Sequence, residues 1–94
     1  MAVFRILEAI ARPGTIDQVA DLLVRQQRDV VANARGIVFV QSLRSGPNLM
    51  AVSSWASAED MQRYLDLPAT GDFYRALPPL LMGVPSVRTY EVIG

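Results

Sequence analysis

The side chains of this sequence best equipped for chemistry are five aromatics and three arginines: Trp55, Tyr64, Phe73, Tyr74 and Tyr90, with Arg5, Arg75 and Arg88. A pocket that joins aromatic walls to an arginine and a phenol suits a flat, weakly acidic organic ligand, through stacking and hydrogen bonding. Trp55 is the only tryptophan and closes a stretch otherwise built of small residues. Arg5 interrupts an apolar stretch, and an arginine buried there needs a partner. The competing reading makes the same aromatics ordinary core.

Other chemistries fall away by residue type. The sequence has no histidine and no cysteine, and all nine of its basic residues are arginine. Histidine bases, thiolate nucleophiles, Cys/His metal sites, Ser–His triads and Ser–Lys pairs are therefore excluded. Ser42, Ser45, Ser53, Ser54 and Ser57 have nothing to activate them. No spaced glycine triplet opens a helix, so a phosphate cradle has no support. Glu8 and Glu91 fall on separate strands; their expected roles are solvated strand ends, or ion pairs with Arg5 or Arg88, rather than an acid–base pair. Neither cofactor nor metal is expected.

The elements that must position these residues follow from periodicity. Val3–Ile10 reads as a strand, with Val3, Arg5, Leu7 and Ala9 on one face and Phe4, Ile6, Glu8 and Ile10 on the other. Thr15 and Gln18 form the pattern of a capping box, and Val19, Leu22, Leu23, Gln26 and Val30 keep helical spacing up to about Ala34, with Gly36 closing the helix. Asp21, Arg25 and Asp29, four apart, predict a solvated face. Ile37–Leu43 and Leu49–Trp55 are strands joined by the turn cluster Ser45-Gly46-Pro47-Asn48, hence an antiparallel hairpin. A second helix opens at Ser57-Ala58-Glu59-Asp60, is interrupted by Pro68, and restarts at Thr70-Gly71-Asp72. Pro78 and Pro79 kink or end it, or form a separate turn. Ser86–Ile93 is the last strand.

The order strand, helix, strand, strand, helix, strand predicts an α+β, ferredoxin-like fold: one four-stranded antiparallel sheet with its helices on one face. At 94 residues the chain is a single domain, 1–94. Its 51% apolar residues exceed the needs of a small monomer, and the uncovered sheet face still carries apolar residues in every strand. A homodimer through that face is expected. Nine acids balance nine arginines, with no basic run, so no nucleic-acid partner is expected. Charge and proline break every apolar run before it could cross a membrane. Lack of cysteine and of a signal-type segment at Met1–Ile6 leads us to expect a cytoplasmic location.

Three stretches carry a resemblance: Arg12-Pro13-Gly14; Ser53-Ser54-Trp55-Ala56-Ser57-Ala58-Glu59; and Phe73-Tyr74-Arg75-Ala76-Leu77, leading through Leu80-Leu81-Met82-Gly83 to Arg88-Thr89-Tyr90-Glu91-Val92. In their order and spacing, nearly the whole chain resembles the antibiotic biosynthesis monooxygenase family of dimeric α+β barrels. The resemblance implies an oxygenase acting on a phenolic or polycyclic aromatic compound without metal or flavin. It also implies a pocket between sheet and helices, with Trp55 and Tyr64 orienting the ring. Arg5 or Arg75 would stabilise the phenolate and the developing peroxide charge. The chain departs from its relatives in lacking the histidine that many carry around Gln62, Arg63 or Asp72, and in lacking an asparagine on the first strand. Haem degradation of the kind some relatives perform is therefore disfavoured. The alternative function is a non-catalytic small-molecule-binding or accessory dimer on the same fold.

Overall fold

The computed structural model describes all of residues 1–94. β1 spans Val3–Ile10, α1 Ile16–Asp29, β2 Ile37–Ser45, β3 Asn48–Trp55, α2 Ala58–Leu65, α3 Pro68–Ala76 and β4 Ser86–Glu91, with single 3-10 turns at Val31–Asn33 and Pro78–Leu80. The strands form one antiparallel sheet in the order β2-β3-β1-β4. The helices lie on one face of it. This is the ferredoxin-like arrangement, with β3 inserted between the parallel strands of a split βαβ unit.

Alternation along β1 sets the two faces. Val3, Leu7 and Ala9 are buried under the helices, and their cross-strand partners Trp55, Ala51 and Leu49 share that face. Two apolar clusters result. The larger gathers nine buried residues, including Leu7, Val19, Leu23, Leu49, Phe73 and Leu77. The smaller gathers Val3, Val31, Trp55 and Tyr64. Between them runs a polar seam, because Arg5 and Ser53 stand opposite each other in the middle of the covered face.

The boundaries depart from the sequence expectation at five places. β2 runs on to Ser45 and β3 starts at Asn48, which pair with each other, so the turn is Gly46-Pro47 alone. α1 ends at Asp29 rather than near Ala34, because the Asn33 side chain donates to the carbonyls of Arg28 and Asp29, which the helix leaves free. The capping box of Thr15 does not form. Its hydroxyl lies 2.8 Å from the carbonyls of both Arg12 and Leu80 and is engaged there as a donor. Pro68 starts α3 instead of merely interrupting a helix, since a proline at the first helical position has no N–H to lose, and Thr70 falls inside that helix. β4 stops at Glu91 because β1, its only neighbour, begins at Val3. By contrast, Ser57 caps α2 as the sequence suggests, accepting from the Asp60 amide at 3.1 Å.

The charges of α1 settle differently, whereas Glu8 takes one of its expected partners, Arg88. Asp21 and Arg25 make no ion pair; the pairs on this side are Arg28–Asp29 at 3.0 Å and Arg44–Asp17 at 3.3 Å. All four side chains are exposed, so they add little to stability. Glu8 pairs with Arg88 at 3.0 Å and stands opposite Ser86, whereas Glu91 stands opposite Val3 at the other end of the ladder. The two carboxylates therefore form no pair.

Candidate functional site

The seam opens into a cavity of about 40 Å³, bounded by β1, β2, β3, α1 and the two following helices. Both apolar clusters contribute to its walls, through Leu7, Leu23 and Phe73 on one side and Val31 and Tyr64 on the other. A space of that size holds about three waters.

Arg5 is the only charged group on its walls. Its guanidinium is half-buried and donates to the Tyr74 hydroxyl at 2.7 Å. The same guanidinium lies 5.9 Å from the centre of the Tyr74 ring. No carboxylate is within ion-pair distance of it. Glu91 shares this face of the sheet from the neighbouring strand, but it is exposed and makes no bond to Arg5.

Tyr64 is held on the other side. Gln26 donates from Nε2 to the Tyr64 hydroxyl at 3.0 Å, and the buried Thr70 hydroxyl donates to the Tyr64 carbonyl at 2.8 Å. Burial pushes the Tyr64 phenol above the ordinary tyrosine value, and the Gln26 hydrogen bond opposes that only in part. Tyr64 is therefore a neutral hydrogen-bonding group at physiological pH.

Trp55 stands behind Tyr64 rather than on the cavity wall. It is fully buried, its ring stacks on Tyr64 at 5.0 Å and 26°, and its Nε1 donates to Ser53 Oγ at 2.9 Å. It fixes both Tyr64 and Ser53. Arg75 lies outside the group: it is exposed on the outer side of α3 and pairs with Asp72. The structure thus brings Arg5, Tyr64 and Trp55 together and leaves Arg75 apart. One site residue escaped the sequence reading, Gln26, while Tyr74 stood among the aromatics with no partner assigned to it. The signal for Gln26 was present, since it is a polar side chain in the apolar stripe of α1.

A larger hollow of about 440 Å³ opens at the end of the sheet among Ile10, Leu43 and Met82. Its charged residues Glu8 and Arg44 are already paired, so it offers no free charge to a ligand. No three acidic side chains gather to hold a metal ion, and no helix is long and apolar enough to cross a membrane.

Solved structures share this architecture over their full length. Rv0793 from Mycobacterium tuberculosis superimposes with a TM-score of 0.93 at 16% identity, covering 100% of this chain and 97% of that one. A candidate antibiotic biosynthesis monooxygenase from Chloroflexus aurantiacus gives 0.80 at 18% identity, covering 100% and 95%. SnoaB, a cofactor-independent oxygenase from Streptomyces nogalater, gives 0.84 at 17% identity, covering 97% and 92%. The chain has the fold that these structures share. No family model matches its sequence, nor does any curated protein. The likeness is therefore one of backbone, and at these identities it speaks for the fold alone.

Proposed function

We propose that this chain is a cofactor-independent monooxygenase of the antibiotic biosynthesis monooxygenase family, acting on a phenolic small molecule as a homodimer. The observation that carries the reading is a half-buried arginine with no carboxylate partner, beside two phenols in one cavity. In that setting Arg5 favours the ionised form of a bound phenol and stabilises the negative charge that passes to oxygen, an electrostatic role. Tyr64, kept neutral, hydrogen-bonds the ring's oxygen, and Trp55 holds Tyr64 in place. The substrate supplies the electrons. One atom of O2 enters the ring as a quinone carbonyl, the other leaves as water, and that water takes the phenolic hydrogen and one ring hydrogen. No external reductant is required. Arg75, outside the cavity, has no part in this scheme. The cytoplasmic location expected from the sequence goes with it.

The second reading, a dimeric protein that binds such a ligand without turning it over, is favoured by one observation: no carboxylate or imidazole lines the cavity to act as a base. Oxygen uptake separates the two. With electron-rich phenols the protein should raise uptake above the buffer rate, and Arg5→Gln should lower that gain by about tenfold or more, the worth of a charge-assisted hydrogen bond. If no phenol consumes oxygen faster with the protein than without it, the binding role is the function.

A further inference from the structure

The Arg5 cavity contains donors in excess of acceptors. A guanidinium has five N–H groups, and Arg5 directs one bond to a protein side chain, the Tyr74 hydroxyl. That hydroxyl accepts from Arg5 and keeps its own proton. Ser53 accepts from Trp55 and keeps its proton, and Tyr64 accepts from Gln26 and keeps its own. Gln27, whose oxygen accepts from Ser42, adds a free amide N–H, and against these stand two side-chain acceptors with no protein donor, the Gln26 amide oxygen and the Ser42 hydroxyl oxygen. A wall of this composition is complementary to an oxyanion.

The identity of the group now on Arg5 gives the size. Tyr74 presents a single aromatic ring, with an oxygen on the guanidinium at 2.7 Å and an edge-on contact to Phe73 at 5.2 Å and 70°. The cavity as it stands is too small for any aromatic ring, since a benzene site is about 150 Å³. Rotation of the half-buried Tyr74 side chain would release the volume of one ring and free the guanidinium in the same motion.

We propose that Tyr74 is a built-in placeholder, and that the site takes a single-ring aromatic oxyanion, a carboxylate or phenolate, whose charged oxygen replaces the Tyr74 hydroxyl on Arg5. This rests on the cavity being the functional site and narrows its ligand from phenols in general to one-ring anions. It does not require that oxygen chemistry follows.

Calorimetric titration with benzoate, benzamide and 1-naphthoate tests it at neutral pH, where benzoate is ionised and benzamide is its uncharged analogue. Benzoate should bind about tenfold or more tighter than benzamide, and 1-naphthoate, one ring too large, weaker than benzoate. Arg5→Gln should abolish the preference for benzoate. Tyr74→Ala should tighten benzoate several-fold, because the occupant is gone, and should admit 1-naphthoate. Tyr74→Phe keeps the packing if the alanine variant fails to fold; it should tighten benzoate modestly, by removing the competing hydroxyl. Equal binding of benzoate and benzamide overturns the proposal. So does a Tyr74 variant that loses benzoate as Arg5→Gln does, for Tyr74 would then be a contact and not an occupant. The readout is independent of oxygen: anion binding without oxygen uptake leaves this inference standing and removes the oxygenase, while oxygen uptake on a ligand bound without charge preference does the reverse.

Discussion

Tyr64 is the residue on which the two halves of the interior meet. It belongs to the smaller apolar cluster, lines the cavity, and carries a phenol whose proton burial retains. Its folded value lies above its unfolded one. The folded state therefore binds the proton more tightly, and the stability this gives is full below the unfolded tyrosine value and is lost as pH rises from there through the raised folded value. Phenolate absorbance followed through an alkaline titration should show a component above the ordinary tyrosine range, and Tyr64→Phe should remove it. If the titration of the variant matches that of the parent, Tyr64 is not the retained proton. Of the residues around it, Arg5 and Trp55 were legible in the sequence, one as a charge in an apolar alternation and the other as a lone indole at a strand end. Tyr74 was named among the aromatics but its partner was not legible, because nothing in a helical spacing says which of two adjacent aromatics, Phe73 or Tyr74, reaches across to a strand 69 residues earlier.

The elements were largely readable where hydrophobic periodicity is long, and misread where a local hydrogen bond decides the end. β1 has the bounds that its alternation gives. The end of α1 was set by Asn33, the start of α3 by Pro68, and neither produces a periodic signal. The junction between α1 and β2 depends on a single glycine. Gly36 has φ of +82°, a left-handed conformation, and a Cβ there would run into the Asp60 side chain at the start of α2. Its carbonyl also accepts from the Ala56 amide at 2.7 Å, so the chain cannot easily move away. Gly36→Ala should lower stability in urea unfolding by about 2 kcal/mol or more, the left-handed penalty and a clash together. Gly14→Ala, with a similar φ but open space around its Cβ, should cost less. Equal losses would mean that the Asp60 contact contributes nothing.

At the scale of the whole molecule, the Cα envelope measures 39 × 28 × 19 Å. A thickness of 19 Å is two layers, one of helix and one of sheet, so nothing in the chain covers the far face of the sheet. That face carries Phe4, Ile6 and Ile10 from β1, Met50 and Val52 from β3, and Phe39 and Leu43 from β2, with Tyr90 and Val92 at the β4 side. Glu8 and Arg88 stand on it too, but as a pair. A self-complementary contact between two such faces is the economical way to remove them from water. Light scattering should report twice the 10.3 kDa chain mass, and Ile6→Glu, a charge at the middle of the face, should return it to one chain mass. A monodisperse single-chain mass for the parent would sink the dimer. The sequence reading reached this face through alternation alone, which assigns residues to faces but cannot say how far a helical layer extends. Here that layer leaves every residue of β4 exposed, on both sides.

The polar seam between the two apolar clusters divides the molecule in time as well as in space. Nine buried residues hold one half of the interior and four hold the other. α2 is fastened to the rest chiefly through Tyr64, its only buried side chain. Cooperative units with less buried apolar surface open at lower free energy, so amide protons of α2 should exchange with solvent well before those that the larger cluster protects in β1 and α1. The cavity would then have a breathing wall, the one on which its neutral phenol sits.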